Sequence, residues 1–436
     1  MGRFGELVAR SEGLRALRRR NFRLYFIGQL VSMCGTSAQV IAVPWLVLKL
    51  TGSGTRVGLV TAIQFVPVLL VGAWAGVIVD RYENRRIVLI VQTALGIQAA
   101  ALATIVLTDV VRLWMVYGLA AIQGAIMAFD TPSRQSLVGE IVGDDDLPNA
   151  LALNVGIMQT SRVIGPLVAG VLIETIGIGL CFAFNAVSYV AIVGIVLAMD
   201  RSQLRARRKA GTKGGETMEG LRYTVRNREL RNLLVLYLVI AVFTGNQATF
   251  MPLLAEFVFH GGAGTYTLIA AVSGVGAVLA AFGVVARYKP TKGFIFVGLI
   301  ALFASFVVAA IAPNLGIELV AMFVMGAAST MAGVATNASL QLGCRPEYRG
   351  RVIALFFMAA FGSNVAGAPL VGWISQTFGT RWAVGMGAIA AGVAVIAVYV
   401  RWHGLFDEPG ACPDREPAAG VVGVADATVP STASAR

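Results

Sequence analysis

Long apolar stretches alternate with short polar ones along almost the whole chain. A helix needs about 20 mostly apolar residues to cross a bilayer, and twelve stretches meet this requirement. They cover residues 22–48, 56–79, 87–108, 112–133, 149–173, 178–199, 231–257, 264–286, 292–312, 316–340, 350–375 and 380–402. The pattern predicts an all-α integral membrane protein with twelve transmembrane helices.

The positions of lysine and arginine predict which loops face the cytoplasm. If both termini lie inside, the cytoplasmic segments hold thirty of these residues and the outer loops hold four. Arg162 alone falls in the middle of a span. Cytoplasmic loops carry the excess of basic residues in membrane proteins, so we expect an N-in and C-in topology. The net charge of +12 then reflects this topology and requires no nucleic acid as a partner.

Charge and composition divide the chain into two apolar halves and three polar segments. Charged residues make up only 13% of the chain, which is about half their share in a soluble protein. The predicted segments are a basic cytoplasmic N-terminal arm (1–21), an N-terminal six-helix bundle (22–199), a basic cytoplasmic linker (200–230), a C-terminal six-helix bundle (231–403) and a disordered cytoplasmic tail (404–436). The tail is rich in Ala, Pro and Gly, a composition that does not form a packed core.

The two predicted bundles resemble each other in sequence. A shift of 202 residues places 147–177 over 349–379 without a gap, with eight identities among 31 positions. The same shift places Gly124 over Gly326. Glycines that align in both halves favour a duplication. We therefore expect two parallel six-helix repeats, with a substrate site near the midplane between them.

Three short stretches carry a resemblance to a known family. They are "GVIVDRYENRR" (76–86), "FDTPSRQSLVGEIV" (129–142) and "SRVIGPLVAG" (161–170). With the twelve spans and the duplication, they resemble the major facilitator superfamily, and within it the branch of macrolide-efflux proteins and the enterobactin exporter. The resemblance implies a multi-pass carrier of the cytoplasmic (inner) membrane that works by alternating access. Its implied partners are the lipid bilayer and a small-molecule substrate, and its implied transport unit is a monomer.

An acidic residue and three arginines lie between the second and third spans. Asp80 is placed at the C-terminal end of its helix, where the helix dipole disfavours an anion. The resemblance implies that Asp80 pairs with the start of helix eleven, near Gly350 and Arg351, and that this cluster closes the cytoplasmic side. The residues assigned to this cytoplasmic gate are Gly76, Asp80, Arg81, Arg85, Arg86, Asp130 and Arg134. Two alternatives stay open: the arginines only set topology, or Arg134 only pairs with Asp130 one helical turn before it.

The fifth span combines a charge with helix-bending and small residues. Its segment resembles the glycine-proline motif of exporters in the superfamily, which favours export, and comprises Arg162, Gly165, Pro166 and Gly170. Arg162 lies roughly 20 Å along the helix from the inner side, where an arginine costs at least about 2.5–3.5 kcal/mol. We expect Arg162 to contact an anionic group of the cargo or a proton-sensitive carboxylate. The alternative is a structural hydrogen bond.

Other polar residues within the spans supply candidates for the cavity and for proton coupling. The candidate substrate cavity comprises Gln29, Gln64, Arg162, Asn246, Gln247 and Asn364. Proton antiport needs a carboxylate that changes its protonation state, and the candidates are Glu256 and Asp130. A solvated helix end explains Glu256 equally well. The coupling itself is implied by the resemblance and by no motif in the sequence.

The chain lacks the sequence motifs of several other classes. It has no GxxxxGK[ST] stretch, which disfavours an ATP-driven pump. Its two histidines and four cysteines are scattered, so neither a metal site nor an enzyme is expected. We expect a secondary active transporter that exports a small hydrophobic or amphipathic molecule, such as a drug, a macrolide-like compound or a siderophore, by proton antiport. Its energy source is the proton gradient, without a cofactor. The alternatives are an uptake carrier or lipid flippase of the same fold, and a non-transporting membrane sensor or scaffold.

Overall fold

The protein is described by a computed structural model that covers residues 12–203, 216–285 and 292–401. Within these ranges every regular element is a helix and no strand occurs, which confirms the all-α prediction. The predicted tail (404–436) and the first eleven residues of the predicted arm lie outside the described residues.

The N-terminal half begins with a short 3₁₀ helix and continues with long helices. These are the 3₁₀ helix Glu12–Arg18, α1 Arg20–Thr51, α2 Gly54–Arg81, α3 Asn84–Leu107, the run Leu113–Thr175 and α6 Ile178–Leu197. The turn between α1 and α2 is encoded locally. Gly52 ends α1 with a φ of 60°, in the left-handed region that suits glycine. The side chain of Ser53 accepts a hydrogen bond from Arg56 N and thereby caps α2.

The 63-residue run Leu113–Thr175 is broken at Gly143. This glycine has a φ of 70° and a ψ of 178°, torsions that a residue with a side chain rarely adopts. An unbroken helix of this length would measure about 95 Å, roughly three times the hydrocarbon core of a bilayer. The break therefore separates α4 (113–142) from α5 (144–175). With this run counted once, 11 helices of the described residues are long and apolar enough to span a membrane. The twelve-span count and the orientation stay predictions.

The C-terminal half repeats this order of helices after a short helix in the linker. The bounds are α7 Glu216–Arg226, α8 Arg228–Thr244, α9 Gln247–Leu253, α10 Ala263–Leu279, α11 Lys292–Ile311, α12 Leu315–Leu342, α13 Arg349–Phe378 and α14 Thr380–Arg401. The seventh predicted span (231–257) is not one continuous helix. It breaks at Asn246, where ψ is 43°, and it ends in the π-helical turn Leu254–Val258.

Glycines that align in the two halves make equivalent helix contacts. Gly165 of α5 lies against α1, and its aligned partner Gly367 of α13 lies against α8. Likewise Gly124 of α4 lies against the main chain of α2, and Gly326 of α12 lies against that of α10. A residue without a side chain lets two helices approach closely in a membrane. The repeat in the sequence thus corresponds to a repeat in the packing.

A short helix also packs against the predicted inner end of each half. In the N-terminal half, Ala16 N of the 3₁₀ helix donates to Asn149 Oδ1 at 3.0 Å. In the C-terminal half, Arg351 pairs with Glu219 of α7 at 2.8 Å. The shift of 202 residues places Asn149 over Arg351. Both short helices therefore use aligned positions of the two repeats.

The most extensive contacts between the two halves join α2 with α13 and α5 with α10, and α9 adds smaller contacts with α1 and α2. Gly58 of α2 lies against the main chain of α13 at Ala368. Gly274 of α10 lies against the main chain of α5 at Arg162. These four helices frame the space between the halves in which a transport pathway is expected.

Candidate transport pathway

An ion pair joins the two halves at the predicted outer end. Lys49, in the last turn of α1, donates to both carboxylate oxygens of Glu256 at 2.9 and 3.0 Å. The Lys49 ammonium also lies 4.8 Å from the ring centroid of Trp45. Both side chains of the pair are partly exposed, so the pair adds no more than about 1 kcal/mol to stability. We call Lys49 and Glu256 the outer ion pair.

Three hydrogen bonds join the halves at the same end. Gln376 Oε1 of α13 accepts two of them, from Ser53 Oγ at 2.6 Å and from Thr55 N at 3.2 Å. Gly264 N, at the start of α10, donates to Glu174 Oε1 at the end of α5 at 2.7 Å. The first N–H groups of a helix have no partner within that helix and attract an anion. Together with the outer ion pair, these bonds hold the halves together at the predicted outer end.

One face of α5 is exposed from the predicted inner end to the middle of the helix. Leu151, Val155 and Met158 are 38%, 50% and 42% exposed, and Arg162 is exposed as well. Their spacings of four, three and four residues place the four side chains in one line along a helix. We call these four residues the α5 face. It is apolar over most of its length and ends in a positive charge.

Arg162 lies at the interface with the C-terminal half. Its main chain packs against Gly274 of α10. Within the described ranges, Arg162 makes neither an ion pair nor a hydrogen bond. An arginine inside a membrane protein is stabilised by a charged partner or by a water-filled cavity. The exposed guanidinium therefore indicates an open space beside α5.

Aromatic rings run from Tyr237 of α8 along α13. The Tyr237 ring lies 4.5 Å from that of Phe356. Farther along the helix, Phe357 lies 6.2 Å from Phe361, which stacks on Phe65 of α2 at 5.8 Å. Phe357 and Phe361 are exposed. In the sequence, only a hydroxyl in an otherwise apolar stretch signals Tyr237, and the prediction did not include it.

The described side chains of the predicted cytoplasmic gate do not form one cluster. Arg85 is buried and donates to the main-chain oxygens of Val196 and Leu197, each at 3.1 Å. These oxygens lie at the C-terminal end of α6, which a cation stabilises. Arg86 pairs with Glu83 three residues before it at 2.6 Å. The two arginines thus have separate partners in this structure.

Asp80 is the central residue of the predicted gate. Its main chain lies in the last turn of α2, and its side chain is outside the described part of the structure. Gly76 of the same helix has open space at its Cβ position, and Arg81 is exposed at the helix end. Arg351, the implied partner of Asp80, pairs with Glu219 of α7. The role of Asp80 stays a prediction.

Asp130 and Arg134 form a buried ion pair inside the N-terminal half. Their side chains approach to 2.6 Å, as in the local helical pair that the sequence left open. Gln92 Nε2 donates a further hydrogen bond to Asp130 Oδ1 at 2.7 Å. Arg134 also lies 3.1 Å from the sulfur of Met33. The pair therefore connects α4 with α3 and α1, and it has no described contact with Arg85.

Of the six candidate cavity residues, only Arg162 is exposed. Gln29 and Asn246 are buried, and the other three are half-buried, namely Gln64, Gln247 and Asn364. Asn246 Nδ2 donates to Val242 O at 2.6 Å, and the same Nδ2 atom lies so close to Gly367 of α13 that a Cβ there would overlap it. Asn246 is thus buried at the break between α8 and α9 in this structure, and its role in a cavity stays a prediction.

The glycines of the helix-five motif pack against neighbouring helices. Gly165 lies against Ser37 of α1, and Gly170 lies against Thr267 of α10. Pro166 is buried within α5. The small residues thus bring α5 close to both halves, and this contact positions Arg162 between them.

Acidic residues in the described spans lie away from Arg162. Glu318 is fully buried in the first turn of α12, and neither of its oxygens has a hydrogen-bond partner among the described residues. Within the described ranges, Arg162 forms no ion pair with an acidic side chain. In the same ranges, no three His, Cys, Asp or Glu side chains converge in a way that could hold a metal.

Comparison with known proteins gives one family match and several distant relatives. The model of a family described as transmembrane secretion effector matches residues 11–408. The staphyloferrin A transporter of Staphylococcus aureus is 22% identical, over 59% of this chain and 65% of its own length. Macrolide efflux protein A of Streptococcus pyogenes is 24% identical, over 41% and 42%. The multidrug efflux pump Tap of Mycobacterium tuberculosis is 24% identical, over 52% and 57%. This chain thus spans less than two thirds of the length of each relative.

Solved structures share the fold at low identity. The nucleoside transporter NupG superposes with a TM-score of 0.73 at 11% identity, over 88% of this chain and 100% of that chain. A bacterial homologue of the human lysosomal transporter Spinster, solved in an inward-facing and occupied conformation, gives a TM-score of 0.69 at 14% identity, over 87% and 95%. At such identities the likeness concerns the fold alone.

Proposed function

Because this chain belongs to the transmembrane secretion effectors of the major facilitator superfamily, we propose that it exports a small amphipathic molecule by alternating access, coupled to proton entry. Membership confirms the resemblance found in the sequence. It supports the assignment of a multi-pass membrane protein that transports small molecules. The proposed location is the inner membrane of a bacterial cell, and the proposed transport unit is one chain.

The observation that carries this proposal is the difference between the two ends of the bundle. The outer ion pair and three hydrogen bonds join the halves at the predicted outer end. The α5 face is exposed from the predicted inner end up to Arg162. A carrier in this state accepts cargo from the cytoplasm, which is the first step of an export cycle.

The direction of transport rests on the relatives and on the helix-five motif. Two relatives are named as efflux proteins, macrolide efflux protein A and the multidrug efflux pump Tap. The segment Gly165, Pro166 and Gly170 resembles the motif of exporters. An uptake carrier of the same fold is the competing assignment, and transport assays decide between them.

Glu256 is the coupling carboxylate in this proposal. It lies at the predicted outer end, where protons enter, and its charge is balanced by Lys49 of the other half. Protonation of Glu256 removes one charge of the outer ion pair, so the halves lose a contact at that end. Asp130 is less suitable because it pairs with Arg134 inside one half, and its protonation breaks no contact between the halves.

Transport into inverted membrane vesicles tests direction and coupling together. A panel of fluorescent amphipathic compounds and antibiotics is added outside vesicles whose lumen is acidified. We expect at least one compound to accumulate in the lumen, and the Glu256→Gln variant to lose this accumulation while keeping downhill exchange. The control is Glu347→Gln, which changes an exposed carboxyl at the predicted inner end. Accumulation only in right-side-out vesicles contradicts export, and full accumulation by Glu256→Gln contradicts the coupling role.

A further inference from the structure

We propose that the pathway selects a cargo in which an anionic group is attached to an apolar or aromatic body, with Arg162 as the contact for the anion. This inference deepens the proposed function and rests on it for the location of the site. It names the class of substrate that the space between the halves accepts.

The charge of the pathway favours an anion. Arg162 is an exposed cation in the middle of α5, and no described side chain neutralises it. A guanidinium forms two parallel hydrogen bonds with a carboxylate or a phosphate, and these bonds are stronger away from bulk water. An anionic cargo therefore supplies the partner that the protein itself does not.

A cationic cargo finds no matching site in the described spans. Asp130 is paired with Arg134, and Glu256 is paired with Lys49. Glu174 accepts the Gly264 N–H group at the predicted outer end of α5. Glu318 is fully buried in α12 and does not reach the surface. A cation beside the α5 face would meet only the like charge of Arg162, which repels it.

The remainder of the site is apolar and partly aromatic. Leu151, Val155 and Met158 continue the α5 face from Arg162 to the predicted inner end. On the opposite side, Tyr237 begins the row of rings along α13. Aromatic rings and aliphatic side chains together form a surface on which the apolar part of a cargo molecule is buried. The arrangement therefore matches an amphipathic anion, whose body lies on the apolar surfaces while its charge meets Arg162.

Tyr237 is the second contact for the anionic group in this arrangement. Its phenol lies on α8, in the half opposite Arg162, and its ring lies 4.5 Å from that of Phe356 in α13. A neutral hydroxyl donates a hydrogen bond to a carboxylate without adding a charge. An anion bound by both residues would connect the two halves, so cargo binding would act on both of them at once.

Equilibrium binding to a matched set of probes tests the proposal. The probes are dansyl-aminohexanoate, its methyl ester and a dansyl derivative in which a quaternary ammonium replaces the carboxylate. Fluorescence titration with purified protein in lipid nanodiscs is expected to show at least tenfold tighter binding of the carboxylate than of the other two. Arg162→Ala should abolish this difference, Arg162→Lys should keep part of it, and Tyr237→Phe should weaken carboxylate binding several-fold. Arg112→Gln is the control, because it removes an exposed arginine at the predicted outer end.

The possible outcomes separate this inference from the proposed function. Equal binding of the three probes, preference for the cation, or binding of none by the wild type overturns it. If the Arg162→Ala variant still prefers the carboxylate, Arg162 does not bind the anion. Unchanged melting temperatures of the Arg162→Lys and Tyr237→Phe variants exclude misfolding as the cause of weaker binding. Because the titration needs no transport, anion binding through Arg162 without export would contradict the proposed function and leave this inference intact.

Discussion

At the scale of single residues, burial determines whether an ion pair contributes mainly to stability or mainly to the choice of conformation. Asp130 and Arg134 are buried inside one half, with side chains 8% and 20% exposed. Lys49 and Glu256 are 51% and 30% exposed and join different halves. Loss of one partner of a buried pair leaves a charge without water or a counter-charge, whereas an exposed charge is solvated. We therefore expect the first pair to govern stability and the second to govern conformation.

Replacement of Asp130 by Asn tests the buried pair. It leaves Arg134 charged and unpaired, so the free energy of unfolding should fall by about 3 kcal/mol. Denaturant unfolding in detergent measures this change. The double variant Asp130→Asn with Arg134→Gln should recover much of the loss, because no unpaired charge remains. A double variant that loses the sum of both single effects would show that the two side chains are not coupled.

Replacement of Glu256 by Gln tests the outer ion pair. Stability should change by less than about 1 kcal/mol, since the pair is partly exposed. The distance distribution between spin labels at Leu50 and Phe257, which are exposed and close to the pair, should gain a longer component. An unchanged distribution in this variant would mean that the pair does not hold the halves together.

At the scale of helices, hydropathy predicts where spans lie but not how they bend. The predicted span 178–199 corresponds to Ile178–Leu197, and 87–108 corresponds to Asn84–Leu107. The break at Asn246 lies inside an apolar stretch, so hydropathy gives no sign of it. Hydropathy measures the transfer of side chains into lipid. The break depends instead on the main-chain torsions at Asn246 and on the position of its side-chain amide. The aligned glycines were visible in the sequence, and the helices that they approach became visible only in the structure.

Glycine substitutions test the helix contacts between the halves. A Cβ on Gly58 would overlap the main chain of Ala368 in α13, whereas a Cβ on Gly118 would meet open space. Gly58→Ala should therefore lower the free energy of unfolding by about 1–3 kcal/mol, as overpacking typically does. Gly118→Ala should leave it unchanged or raise it by up to about 1 kcal/mol, since alanine favours a helix. Equal effects of the two substitutions would contradict this packing.

At the scale of the whole molecule, the sequence predicts the two halves but not the contacts between them. The shift of 202 residues and the glycine pattern indicate a duplicated bundle, and the family match is consistent with that architecture. Lys49 and Glu256 are 207 residues apart, and the sequence around each residue does not identify its partner. The same holds for Ser53 and Gln376, which are 323 residues apart and meet only because α13 packs against the N-terminal half.

The central claim is that the halves separate alternately at the two ends of the bundle, and that this structure is open toward the cytoplasm. Met158 lies on the α5 face and is 42% exposed, so a cysteine there reports access to the pathway.

The decisive measurement is the labelling rate of Met158→Cys, in a background without the four native cysteines, by a membrane-impermeant maleimide applied to one side of the membrane at a time. The account predicts rapid labelling from the cytoplasmic side and slow labelling from outside, and faster labelling from outside when Glu256→Gln is added. Labelling from outside alone, or a rate from outside that Glu256→Gln does not change, would contradict it.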